Sequence, residues 1–486
     1  MKIDFPEQFW WGAATSGPQS EGRFNKKHAN VFDHWFEIEP DAFYDQVGPD
    51  VASNFYNSYK EDIALMKEIG LNSFRTSIQW TRLIDDFEEA TVNEDAVRFY
   101  NAVIDECLLQ GIRPVINLFH FDMPIALQEK YGGWESKHVV DLYVKFASKC
   151  FQLFGDRVTE WFTFNEPLVI VDGAYLYQFH YPKLVDGRKA VQVAYNIALA
   201  SAKAVKAYRK INTHVDGKIG IILNLTPSYP ASDDPADLSA ARFADLWMNE
   251  MFLDAAVKGQ FPKELTDTFQ KDGVLWDASE AELCLIAENT IDLLGVNFYH
   301  PNRVQRPDIS ADSLAVDWLP TKYFDGFAMP GRRMNVDKGW EIYPQALYDI
   351  ALNIRDNYGN IPWFVSENGM GVSKEERYLN EEGIIQDDYR IQFIQEHLFW
   401  LAKGMAEGSN CFGFHLWTPI DCWSWMNAYR NRYGFISNNI HTQVKTIKKS
   451  GRWFRKVVEE NQLEVPDTIV AKWTEQVSKE PMEIVL

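Results

Sequence analysis

The sequence predicts an α/β chain folded as a single (β/α)8 TIM barrel with long decorating loops, residues 1–486 forming one domain. Three observations lead there. Eight short apolar, β-rich runs recur along the whole length, segments with helical periodicity separate most of them, and the chemically interesting residues cluster where the runs end. Length alone would allow about three domains, but no linker, low-complexity tract or short-period repeat divides the chain.

The runs are "FWWGAATS" (9–16), "SFRTSIQW" (73–80), "RPVINLFHF" (113–121), "EWFTFNEP" (160–167), "KIGIILNLT" (218–226), "DLLGVNFY" (292–299), "IPWFVSENG" (361–369) and "CFGFHLWT" (411–418). Eight is the number that closes such a barrel. Between the first two, "NFYNSYKEDIALMKEIG" places Tyr56, Ile63, Met66 and Ile69 near one helix face and stops at Gly70. Similar patterns cover 94–110, 137–154, 188–211, 237–257, 341–358 and 388–407, whereas 25–50 and 301–340 are expected to be loops.

Composition narrows the function. Hydrophobic residues make up 46% and aromatic residues 14%, enough for a large filled core. A formal charge of −21 disfavours nucleic acid and membrane surfaces as partners, because both are polyanions. The five cysteines, Cys107, Cys150, Cys284, Cys411 and Cys422, lack a CxxC pair and are expected to be small buried hydrophobes in a reducing compartment. The start "MKIDFPEQFWWGAATS" has no basic segment followed by a long apolar run, so a soluble cytoplasmic protein is expected.

The reactive residues sit at strand ends: His120, Asn165 and Glu166, Asn297 and Tyr299, Glu367, and Trp417. In such barrels the C-terminal strand ends converge on one mouth. "TFNEP" and "VSENG" each put a Glu beside an Asn as an apolar strand ends, at Glu166 and Glu367. A carboxyl group there is either desolvated and protonated or kept ionised by a positive partner. Two across one pocket can protonate a departing oxygen and attack an anomeric carbon or activate water, the requirement of glycoside hydrolysis.

The ordered set "FWWGAATSGPQSEG", "FRTSIQWTRL", "LFHFDMP", "TFNEP", "NFY", "VSENG" and the Trp417 region resembles the successive motifs of glycoside hydrolase family one, across about residues 5 to 435. The resemblance implies a (β/α)8 barrel and a retaining double displacement with no metal or organic cofactor. It makes Glu166 the general acid and then general base, and Glu367 the nucleophile. Retention also needs the two carboxyls about 5–5.5 Å apart. Asn165 would contact the sugar 2-hydroxyl, Tyr299 would donate to Glu367, and Arg75 would keep the nucleophile anionic, with Asn297 as further support. A plain buried ion pair remains the other reading of Arg75.

Gln19 and His120 match family positions that bind sugar hydroxyls, while Trp417 and Trp425 offer apolar faces to a sugar ring. Trp340 either lines the entrance or staples the helix that follows it. In family members that cleave neutral sugars, the loop after strand eight carries a Glu that accepts from hydroxyls at C4 and C6. Here "CWSWMNAYRNRYGF" puts Ser424 at that place. A carboxylate would repel a 6-phosphate, whereas a hydroxyl can donate to it. The branch acting on 6-phosphorylated glycosides continues to a Lys and a Tyr. Tyr433 matches the Tyr, but Asn431 occupies the Lys place between Arg430 and Arg432, leaving the cation unassigned. The following "KTIKKSGRWFRKV" is expected to be a solvated basic helix.

The leading expectation is hydrolysis of 6-phospho-β-glucosides, with a phosphorylated disaccharide or aryl β-glucoside 6-phosphate as partner. A 6-phospho-β-galactosidase, a neutral β-glucosidase and a silent sugar-phosphate-binding protein are the alternatives. The sequence leaves a homo-oligomer open.

Overall fold

The computed structural model describes residues 1–211, 214–308 and 318–471. Eight parallel strands close into a barrel in chain order: β1 (Trp10–Ala14), β2 (Ser73–Ser77), β3 (Arg113–Asn117), β4 (Glu160–Asn165), β5 (Lys218–Asn224), β6 (Leu293–Asn297), β7 (Trp363–Asn368) and β8 (Cys411–Trp417). Each falls inside one of the eight apolar runs. β2, β4, β6 and β7 are buried at every position, which is why they appear as continuous rather than alternating apolar segments.

The barrel interior is packed with side chains. Val115, Phe162, Ile222, Leu293 and Phe364 form a cluster of their own, flanked by Trp10 and Phe412. β4 and β7 are not neighbours, so the 5.5 Å approach of the Phe162 and Phe364 rings crosses the interior. His415 also points inward and meets the Ser73 hydroxyl at 2.9 Å. A Cβ at Gly12 would lie 2.4 Å from the His415 ring, which explains the glycine in "WWGAATS".

The outer helices follow the expected periodicity: α1 (Phe55–Glu68), α2 (Glu94–Leu109), α3 (Lys137–Phe154), α4 (Gly187–Ile211), α5 (Pro235–Asp245), α6 (Met251–Val257), α7 (Gln345–Asn357), α8 (Asp388–Ala406) and α9 (Lys449–Glu460). In α3, the Ser136 side chain accepts from His138 N, and Val139, Tyr143, Phe146, Cys150 and Phe154 then recur on the buried face. After α1 the chain turns at Gly70, whose φ of 87° favours glycine. The segment expected as one helix over 237–257 is two helices joined by a π-helical turn, Leu246–Glu250.

Several segments depart from expectation. The 25–50 stretch contains a helix, Val31–Ile38, capped by the Asn30 side chain. Within 301–340, Asn302–Gln305 pairs with Ser228–Pro230, and Met334–Asn335 pairs with Trp340–Glu341. Residues 309–317 of that stretch lie outside the described residues. Four cysteines are buried, but Cys284 is exposed. "KTIKKSGRWFRKV" begins as a strand, Lys445–Ile447, before α9. Its lysines are not all solvated. Lys448 is fully buried between Glu375 and Asp421, and Lys445 is buried against Asp62. Among the described residues, no helix is long and apolar enough to cross a membrane.

Candidate active site

The parallel ladder is irregular at the mouth. Register shifts fall between Phe162 and Asn165, between Val296 and Asn297, and between Val365 and Asn368. Such irregularities re-aim side chains at a strand end, and here they flank Asn165, Asn297 and Glu367.

Glu367, on β7, is buried with both carboxyl oxygens in use. Oε1 accepts from Arg75 Nη2, and Oε2 accepts from Tyr299 Oη at 2.6 Å. Arg75 lies fully buried on β2, donating from Nη1 to Thr15 O at 3.1 Å. It is therefore a buried ion pair and a mouth residue at once. Burial pushes the Tyr299 phenol well above its usual range, with negative Glu367 adding to the effect, so it serves as a donor.

Glu166 follows β4 with φ of 47° and stands just before a helix, Pro167–Tyr175, that the "NEP" motif opens with its proline. Asn297 Nδ2 donates to Glu166 Oε1 at 2.7 Å and to Asn165 Oδ1 at 3.0 Å. Asn165 Oδ1 also accepts from Arg75 Nη2 at 3.4 Å. Desolvation first, and the charge of Glu367 second, push Glu166 up to about 8, against smaller opposing effects of Asn297 and Arg75. One carboxyl is thus arranged to hold a proton, while the other is arranged to accept two hydrogen bonds.

His120 sits beside this chain. Burial, then Arg75 and His180, hold it well below the ordinary imidazole range, so the ring is neutral. Arg75 Nη1 lies 3.4 Å from its Nδ1. Asn165 Nδ2 lies 3.5 Å from Nε2, beyond good hydrogen-bond length. Gln19 is anchored at both ends of its amide: Oε1 accepts from Ser16 Oγ at 2.8 Å and Nε2 donates to Trp423 O at 2.9 Å. One amide hydrogen remains for a ligand.

The aromatic residues form walls. Trp417 lies nearly parallel to His120, with ring centroids 5.8 Å apart. Trp425 packs on Phe32, Phe121 and His120 at 4.2, 5.5 and 6.0 Å. Trp340, in its hairpin, contacts Tyr299 and His300 at 5.2 and 5.1 Å.

The loop after β8 brings Ser424 and Tyr433 to the same mouth, where Tyr433 clusters with Trp417 and Cys422 and is flanked by Tyr299 and Trp340. Ser424 N donates to Ala428 O at 2.7 Å, but among the described residues neither its hydroxyl nor that of Tyr433 has a protein hydrogen-bond partner. Gly371 roofs the Tyr433 ring so closely that a Cβ there would lie 2.4 Å from the phenol carbon. Asn431 lies in a short strand against Ser373, and its Nδ2 donates to Asp337 O at 3.2 Å. Arg430 is exposed, with its guanidinium 5.7 Å from the Tyr44 ring centre.

Sequence reasoning missed the framework behind this loop. Fully buried Arg390 donates to Met370 O at 2.7 Å, Tyr433 O at 2.9 Å and Arg432 O at 3.2 Å while pairing with Glu375 and Asp387. Asp421 accepts from Gly434 N at 2.8 Å and Lys448 Nζ at 3.0 Å. Lys338 immediately precedes Gly339 and Trp340 in "DKGW".

Residues 1–463 match the family model described as glycosyl hydrolase family 1. The chain belongs to glycosyl hydrolase family 1. Among family 1 relatives, it is 54% identical over 458 residues to 6-phospho-beta-glucosidase GmuD of Bacillus subtilis, an alignment covering 94% of this chain and 97% of the relative. A 6-phospho-beta-galactosidase of Clostridium acetobutylicum is 33% identical, with 95% and 98% covered. Among solved structures, a family 1 β-glucosidase from Thermotoga maritima superposes with a TM-score of 0.86 at 31% identity, covering 95% of this chain and 99% of that one.

Proposed function

We propose that this protein is a retaining 6-phospho-β-glucosidase, which converts 6-phospho-β-D-glucosides into glucose 6-phosphate and a released aglycone or sugar. The observation that carries the reading is Ser424: a hydroxyl without a protein partner among the described residues stands where a neutral-sugar enzyme of this family would hold a carboxylate. Likeness to a 6-phospho-beta-glucosidase at 54% identity supports it, against 33% for a 6-phospho-beta-galactosidase.

In the first step protonated Glu166 gives its proton to the glycosidic oxygen as the bond to C1 breaks, and the Glu367 carboxylate attacks C1 from the opposite face. The products are a neutral aglycone and a glycosyl ester on Glu367. Esterification removes the charge of Glu367 and with it the second cause of the high Glu166 pKa. Glu166, now ionised, takes a proton from water as the water oxygen attacks C1, and Glu367 leaves as a carboxylate. In this reading Arg75 and Tyr299 orient the nucleophile, Asn297 and Asn165 hold Glu166 and the 2-hydroxyl, and Gln19 and His120 bind sugar hydroxyls. Trp417, Trp425 and Trp340 enclose the sugar, while Ser424, Tyr433 and a cation near Arg430 receive the phosphate.

The test compares nitrophenyl β-glucoside, its 6-phosphate and nitrophenyl β-galactoside 6-phosphate. The glucoside 6-phosphate is expected to have the highest kcat/KM. Preference for the neutral glucoside would reject the phosphate assignment, and preference for the galactoside would reject the sugar assignment.

A further inference from the structure

We infer that Lys338, held against Trp340 in the hairpin that docks on Asn431, is the specificity-determining cation that binds the substrate 6-phosphate. The inference rests on the proposed function and supplies the charge that Asn431 cannot.

Lys338 lies in the turn joining Met334–Asn335 to Trp340–Glu341. That hairpin is fixed to the mouth at several points. Glu341 pairs with Arg303 at 2.8 Å, Asn335 Nδ2 donates to Gly371 O at 2.9 Å, and Asp337 accepts from Ser373 Oγ at 2.7 Å. Gly371 is the residue that roofs Tyr433, and Asn431 is the one that donates to Asp337 O. The turn is therefore bound to both sides of the Tyr433 loop.

The Lys338 amine stands 4.8 Å from the centre of the Trp340 ring, which itself packs on Tyr299. Among the described residues it has no carboxylate within ion-pair distance, although it is only partly exposed. Burial first, and the positive charge of Arg430 second, lower its pKa to about 8. Arg430 also lacks a carboxylate partner among the described residues.

Other basic groups around the loop are committed elsewhere. Arg432 donates to Asn438 O at 3.2 Å and covers the Tyr429 ring at 4.7 Å. Lys448 and Lys445 are in buried ion pairs, and Lys449 pairs with Asp388. Lys338 and Arg430, each without an acid partner among the described residues, are left to an anion. A phosphate near −2 offers that charge and also accepts from Ser424 and Tyr433.

The test measures Lys338→Met and Lys338→Arg in the full chain with nitrophenyl β-glucoside 6-phosphate and the neutral glucoside. Lys338→Met is expected to reduce the preference for the phosphorylated substrate by about 10–100-fold, chiefly through KM, with partial recovery in Lys338→Arg. An unaltered preference overturns the role of Lys338 while leaving the proposed function intact. Equal losses on both substrates also overturn it, because Lys338 would then act only through Trp340. A wild-type preference for the neutral glucoside overturns the function and this inference together. A wild-type measurement guards against a misfolded variant: glucose 6-phosphate, unlike glucose, should protect Lys338 from trinitrobenzenesulfonate, as read by mass spectrometry. Equal labelling with both sugars refutes the contact.

Discussion

The two ends of the barrel mouth handle charge in opposite ways. At the carboxylate end, Glu367 has both oxygens occupied by Arg75 and Tyr299, and Asn297 holds Glu166. At the Ser424 end, two hydroxyls lack protein partners, and Lys338 and Arg430 lack acids among the described residues. The difference separates two tasks. A group that reacts must be oriented before the substrate arrives, whereas a group that binds an anion must keep its hydrogen-bonding capacity free.

The largest effect should come from removing the proposed nucleophile. Glu367→Gln is expected to lower kcat with nitrophenyl β-glucoside 6-phosphate by about 10^4-fold or more, the scale for losing a member of a catalytic unit. Circular dichroism should still report a folded chain. A loss below about tenfold would place the nucleophile elsewhere and erase the proposed contrast.

Glu166→Gln should produce a smaller loss that depends on the leaving group. General acid catalysis contributes about 10^2–10^4-fold, needed most by an alkyl or sugar aglycone and least by nitrophenol. Steady-state kinetics on a phosphorylated disaccharide and the nitrophenyl substrate measure the difference. Equal losses on both would remove Glu166 from the acid role.

The strands were legible because a parallel strand buried on both faces is a short apolar run, and a polar residue that ends it, such as Asn165 or Glu367, stands out. The roles expected at the carboxylate end, Arg75 within β2 included, came from the ordered motifs and the family they resemble. The other end has no such background. Lys338 is a single lysine in a turn, and its relation to Arg430 exists only after the hairpin docks beside Asn431. Lys448 looked solvated because its acidic partners, Glu375 and Asp421, lie 73 and 27 positions away. Charge in sequence shows what a segment carries, not what neutralises it.

The smallest effect, on stability, distinguishes the two ends by sign. Glu166 is raised from 4.5 to about 8, so its stabilising contribution is complete below about pH 4.5 and is lost as pH rises through about 8. Glu166→Gln should therefore gain Tm relative to wild type across that interval and gain no more above it. Lys338 is lowered from 10.5 to about 8, so its contribution is present above about pH 10.5 and is lost as pH falls through about 8. Lys338→Met should thus lose its relative advantage as pH rises from about 8 toward about 10.5, the interval where the Glu166→Gln gap is flat. Differential scanning fluorimetry of wild type and both variants across this range reads the two slopes. Slopes of the same sign would mean that the two ends do not carry opposite electrostatic strain, and the comparison would fail.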